Sequence, residues 1–164
     1  MSDSIAELHG LKSLKLCYCV EVPKFISFSN HKCKYKLRLD GILDKLPDTV
    51  ELFFPPNLSK LTLRKSRLES DPMVTLQKLP NLRVIRLYPK SYLGKKMVCS
   101  EDAFFQLQVL EVCGLEELEE WKVEVGALVN LKQLGFGSCK RFKMVPDGLQ
   151  HLSTLINERF VGVG

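Results

Sequence analysis

Leu58-Ser-Lys-Leu61-Thr-Leu63 and Leu82-Arg-Val-Ile85-Arg-Leu87 carry one pattern 24 residues apart, with an apolar residue first, fourth and sixth. The pattern continues downstream as Leu107-Gln-Val-Leu110-Glu-Val112 and Leu131-Lys-Gln-Leu134-Gly-Phe136, and upstream as Leu11-Lys-Ser-Leu14-Lys-Leu16. Two weaker copies keep the register, Lys34-Tyr-Lys-Leu37-Arg-Leu39 and Leu155-Ile-Asn-Glu158-Arg-Phe160. First positions therefore fall at 11, 34, 58, 82, 107, 131 and 155. Of 21 apolar slots 19 are filled, Lys34 and Glu158 being the exceptions, where a 45% hydrophobic chain fills about nine or ten by chance.

Such an L-x-x-L-x-L core at a 24-residue period is the leucine-rich repeat signature. Places four to six alternate with strand periodicity, so the leucines face inward and their neighbours outward. One short strand per repeat, stacked on the next, makes a parallel sheet, and the rest of each unit returns along the other side. The sequence thus predicts one α/β domain over 1–164, a leucine-rich repeat solenoid of about seven units. Its parallel sheet lines the concave face, with short irregular helices and loops on the convex side. Prolines at Pro23, Pro47, Pro55, Pro56, Pro72, Pro80 and Pro146 belong in connectors, since Pro breaks a central strand. Asn57, Asn81 and Asn130 each precede a first-position Leu, as turn residues do.

The return segments offer Phe25, Phe28, Leu46, Val50, Met73, Leu76, Leu79, Phe104, Phe105, Leu118, Trp121 and Val125 to close the layers. One helical turn is expected at Leu76-Gln-Lys-Leu79 and about two turns over 101–107. Place nine holds Cys19, Ile42, Ser66, Lys90, Leu115 and Cys139, so no asparagine ladder forms there and a loose solenoid is predicted.

Composition excludes several classes. The 26% charged fraction is ordinary for a globular chain. No run is long enough to span a bilayer, and Met1-Ser-Asp-Ser-Ile is no secretory leader. Without one, a reducing, cytoplasmic setting is expected, with the six cysteines as free thiols. The net charge of +5 is uneven, +9 over residues 1–98 and −4 over 99–164.

No motif points to catalysis, a metal or a cofactor, and none is expected. Gly94-Lys95-Lys96 lacks the upstream Gly and the following Ser or Thr of a phosphate loop. His9, His31 and His151 are scattered, away from metal-ligand spacing. Glu116, Glu117, Glu119 and Glu120 read as a charged turn around Leu118 and Trp121, with no cleft to separate their environments. Asn57-Leu-Ser59 matches a glycosylation sequon only through the repeat's own Asn-Leu habit.

The outward strand positions are the informative ones, because a curved solenoid binds on its concave face. In the first four repeats they hold Lys12, Lys15, Lys36, Arg38, Lys60, Arg64, Lys65, Arg83 and Arg86, with Asp40 the single acid and Tyr18, Tyr35 and Tyr88 alongside. Repeats five and six are nearly neutral there, with Glu111 and Lys132. Nine like charges on one sheet repel unless something offsets them, so a protein partner with an acidic surface is expected, with a simply solvated charged face as the alternative. Nucleic acid is disfavoured, since no recognised nucleic-acid module accompanies the basic stripe.

Several phrases go beyond the repeat: Phe54-Pro-Pro-Asn-Leu-Ser-Lys-Leu-Thr-Leu63, Asp71-Pro-Met73, Leu79-Pro-Asn-Leu-Arg-Val-Ile-Arg-Leu87, Ser91-Tyr-Leu-Gly-Lys-Lys-Met97, Leu118-Glu-Glu-Trp121 and Val145-Pro-Asp-Gly-Leu149. With them the chain resembles the leucine-rich repeat region of a plant intracellular immune receptor of the nucleotide-binding, leucine-rich-repeat class, coiled-coil subgroup. The resemblance implies a non-enzymatic recognition module for plant defence. Its partners would be the receptor's own nucleotide-binding domain, held inactive, and a pathogen effector or guarded host protein. The sequence has no phosphate loop for the family's ATP switching and its last copy degrades, so a fragment or truncated product is a further expectation. Substrate recognition in a ubiquitin ligase is the alternative, for which residues 1–10 are too short to hold an adaptor-binding segment.

Overall fold

The computed structural model describes residues 12–21 and 35–162. Among these residues nine strands run in chain order as β1 (Ser13–Glu21), β2 (Tyr35–Ile42), β3 (Leu58–Arg64), β4 (Val84–Leu87), β5 (Lys96–Cys99), β6 (Val109–Cys113), β7 (Glu120–Val123), β8 (Gln133–Gly137) and β9 (Asn157–Val161). Seven form one parallel sheet in the order β1-β2-β3-β4-β6-β8-β9. Each is the L-x-x-L-x-L strand of its repeat, so the fold is a leucine-rich repeat solenoid.

The register sets like places side by side. Leu37, Leu61, Ile85, Leu110 and Leu134 form one inward row, and Leu39, Leu63, Leu87, Val112 and Phe136 the next. All ten are buried. A fully buried Leu contributes about 1.5–3 kcal/mol, so these rows dominate the fold's stability. Glu158 continues the first row in β9 but is exposed, as the degenerate last copy implied.

The return side departs from expectation in three ways. First, the short helices expected are there among the described residues, α1 (Val50–Phe53), α2 (Pro72–Leu76) and a 3-10 helix at Asp147–His151, but not at the places expected. The helical turn in repeat three falls just upstream of Leu76–Leu79, because Asp71 caps it and Pro72 pre-sets its first φ. Residues 101–106 are turns, with Asp102 and Phe104 in the left-handed region at φ 54° and 61°, which no helix accommodates.

Second, β5 and β7 pair in parallel as a small outer sheet, Met97 on Trp121 and Cys99 on Val123 facing inward. Asp71 fixes this sheet to α2: one carboxylate oxygen accepts from Met73 N (2.9 Å), the other from Val98 N (2.7 Å). Burial pushes its pKa up, against the two N–H groups. Trp121 stacks on Phe136 at 5.5 Å and Phe136 meets Phe142 at 4.5 Å, so aromatics join the outer sheet to β8. Gly148 lies so close to β7 that a Cβ would stand 2.3 Å from the Val123 carbonyl oxygen.

Third, an asparagine ladder is present, though not at place nine. Asn81 Nδ2 donates to the Pro56 carbonyl (3.0 Å) and Asn130 Nδ2 to that of Phe105 (2.8 Å). Thr154 Oγ1 donates to the Val129 carbonyl (2.9 Å) in the same place. At Asn81, Asn130 and Thr154 the residue before the first-position Leu thus stitches its repeat to the one before, where a loose solenoid was predicted. Of the expected layer-closing residues, Leu46, Val50, Met73, Leu76, Phe104, Leu118 and Trp121 are buried, and Leu79 is partly so. Phe105 and Val125 are exposed, and Ala127 and Leu128 fill the repeat-five layer instead. Phe25 and Phe28 lie outside the described residues.

Candidate protein-interaction face

Three outward rows cross the seven-stranded sheet. Place three holds Ser13, Lys36, Lys60, Val84, Val109, Gln133 and Asn157, and place five Lys15, Arg38, Thr62, Arg86, Glu111, Gly135 and Arg159. Place seven begins with Cys17, Asp40 and Arg64. Lys15, Lys36, Arg38, Lys60, Arg64 and Arg86 therefore share one surface. Arg83 lies just before β4, and Lys65 follows β3 with φ 53°, so both stand at the ends of strands. Lys12 likewise precedes β1. Tyr35 opens β2, but its side chain and that of Tyr18 lie outside those described.

Two acids partition this surface, each meeting a cation one repeat away in the chain. Asp40 stands 3.7 Å from Arg38 and 3.9 Å from Arg64. Glu111 takes an ion pair from Arg86 Nε (2.9 Å) and a hydrogen bond from the Tyr88 hydroxyl (3.1 Å). Burial, with Glu111 beside it, raises the Tyr88 pKa. The guanidinium groups are thus held, while Lys15, Lys36 and Lys60 have no carboxylate partner among the described residues. Burial pushes the Lys60 ammonium pKa down, and the cations of Arg86 and Lys36 add to it. Farther along, Gly135 and Gly137 leave Gln133 as the outward side chain of β8, so the face divides into a basic part and a nearly bare part.

Another opening lies away from this face. A cleft of about 680 Å³ lies between β7 and residues 143–148, walled by Trp121, Val123, Met144, Val145 and Pro146. Its charges satisfy one another: Glu119 pairs with Lys143 (2.6 Å) and Lys95 (3.1 Å), and Glu120 with Lys96 (2.8 Å). Glu117 pairs with Arg141. The carboxylate cluster and Gly94-Lys95-Lys96 are accounted for by these pairs. His151 ends the 3-10 helix, exposed, while His9 and His31 lie outside the described residues. No group of three or more His, Cys, Asp or Glu among the described residues is placed to hold a metal. Cys17, Cys99, Cys113 and Cys139 are free thiols.

No protein-family model matches the chain. Disease resistance protein RPP8 of Arabidopsis thaliana is 34% identical over 99% of this chain. Disease resistance RPP8-like protein 3, from the same plant, is also 34% identical over 99%. The Arabidopsis protein RF9, named a probable disease resistance protein, reaches 46% identity over 62%. The chain is related to the plant disease resistance proteins. It spans about 18% of the length of RPP8 and of RPP8-like protein 3, and 10% of RF9. With the solenoid it folds into, this makes it a leucine-rich repeat region of the resistance-protein kind. No helix among the described residues is long and apolar enough to cross a membrane.

Proposed function

We propose that this chain is a non-enzymatic protein-recognition module for plant defence, one repeat domain over 1–164 working in the cytoplasm. Its concave basic face packs on the acidic surface of a receptor's nucleotide-binding domain and holds that domain inactive. The nearly neutral repeats beyond β6 are then free to sense a pathogen effector or a guarded host protein.

The observation that carries this reading is the set of lysines without a carboxylate partner among the described residues, Lys15, Lys36 and Lys60, on a face where the neighbouring arginines each stand within 4 Å of one. Unpaired charges of one sign steer and orient a partner of the other. The relation to disease resistance proteins supports the setting.

The test is Lys36→Glu with Lys60→Glu, assayed for binding to a separately expressed nucleotide-binding domain of a disease resistance protein. These positions are cleaner than Arg64 or Arg86, whose reversal also breaks an ion pair within the chain. Loss of two complementary contacts should weaken binding by about 1–3 kcal/mol, most at low salt. An unchanged affinity at about 150 mM salt, where exposed charges still act over a Debye length of about 8 Å, overturns the reading.

A further inference from the structure

We propose that the hollow among Lys15, Lys36, Arg38, Lys60 and Arg86 is a binding site for a compact polyphosphate, a small molecule carrying several phosphate groups. Four neighbouring strands build it. Lys15 stands opposite Arg38, Lys36 opposite Lys60, and Thr62 lies between Arg38 and Arg86 in the place-five row. Thr62 is short, so the cations surround a gap of about 240 Å³.

Adjacent strands are about 4.8 Å apart, a distance at which directly opposed like charges destabilise a sheet. The two nearby acids relieve this only in part, Glu111 acting on Lys60 from outside the hollow. Asp40 and Glu111 do not line the hollow; each stands within 4 Å of a guanidinium group, and Lys15, Lys36 and Lys60 have no carboxylate partner among the described residues. Burial lowers the Lys60 ammonium pKa first, and the neighbouring cations Arg86 and Lys36 lower it further. An anion in the gap would reverse the repulsion. Phosphate suits the donor set better than a carboxylate: each group offers three acceptor oxygens, and the guanidinium forks bind phosphate two-pronged while lysines add point charges. The opening lies below the roughly 300–1,000 Å³ of sites for drug-sized ligands, which favours a small, densely charged headgroup.

The proposal stands apart from autoinhibitory packing, since its test needs no nucleotide-binding domain. Inorganic tripolyphosphate is titrated into the whole chain by calorimetry at about 150 mM salt, so that surface attraction is screened beyond a Debye length of about 8 Å. Saturable one-to-one binding is expected. Lys36→Gln with Lys60→Gln should weaken it about a hundredfold or more, since two charge-assisted hydrogen bonds are lost. The control pair Lys132→Gln with Lys140→Gln, exposed and off the hollow, should leave it unchanged. Circular dichroism verifies that both pairs fold. No saturable binding to the unsubstituted chain, or an equal loss in both pairs, overturns the site.

Discussion

Replacing Phe136 by alanine tests how the far end of the solenoid is held. Phe136 is 1% exposed and touches three rings: Trp121 at 5.5 Å, Phe142 at 4.5 Å and Phe160 at 6.0 Å. It therefore joins β8 to the outer sheet, to its own return segment and to β9. Truncating a buried Phe to Ala costs about 3–5 kcal/mol, and three aromatic contacts place this site toward the upper end. In a repeat protein, stability is a sum of unit and nearest-neighbour terms, so the loss should be local. Hydrogen exchange should show amides of β6, β8 and β9 losing protection by about 100- to 1,000-fold, since each factor of ten is about 1.4 kcal/mol. Amides of β2 and β3 should be little changed. Phe136→Leu, which keeps volume and gives up the ring contacts, should cost about 1.5 kcal/mol or less. Equal loss of protection in β2 and β8 would refute nearest-neighbour coupling. A cost under about 1 kcal/mol for the alanine variant would refute the central role given to the ring, since buried Phe normally costs about three times that.

Asn130→Ala removes a rung of the inter-repeat ladder and leaves the Phe105 carbonyl to water, so a loss of about 1 kcal/mol in urea unfolding is expected. Glu119 is held down to about 2 by hydrogen bonds from Lys143 and Lys95 and by their charge. Because its folded pKa lies below the unfolded value, its contribution is full above about pH 4.5 and is lost as pH falls through about 2. Carboxyl NMR titration should show that midpoint, and Lys143→Gln should raise it. Burial pushes the Cys99 thiol up to about 12, so a maleimide at pH 8 should label exposed Cys17 and leave Cys99 unmodified until the chain is denatured, as peptide mapping would show.

The main sheet was legible because an inward slot tolerates little besides an apolar side chain, and Leu61, Ile85, Leu110 and Leu134 obey that rule at a fixed period. The outer sheet was not. Lys96-Met97-Val98-Cys99 alternates over only four residues, too few to distinguish a strand from a loop. The turns at 101–106 were misjudged because left-handed Asp102 and Phe104 leave no mark in composition. At the candidate face, the cations were visible as a stripe, but their pairing was not. Asp40 meets Arg64 and Glu111 meets Arg86 only through strand register, which local sequence does not display. That register changes the meaning of the stripe: the arginines are positioned, and the lysines are what remains exposed to a partner.

The ladder of Asn81, Asn130 and Thr154 has an evolutionary consequence. Each rung refers only to the unit before it, so recombination that drops or duplicates a whole unit leaves a self-consistent chain. Excising residues 82–106 would set β3 directly against β6, Leu61 meeting Leu110 and Leu63 meeting Val112, with the interior row unbroken. The outward rows would not survive unaltered: Arg86 and Tyr88 would vanish, and Glu111 would move beside Thr62, next to Arg38. A single exchange would turn a hollow of unopposed cations into one with its own carboxylate. The interior is interchangeable from unit to unit and the face is not, which lets such a gene exchange one specificity for another without having to learn to fold again.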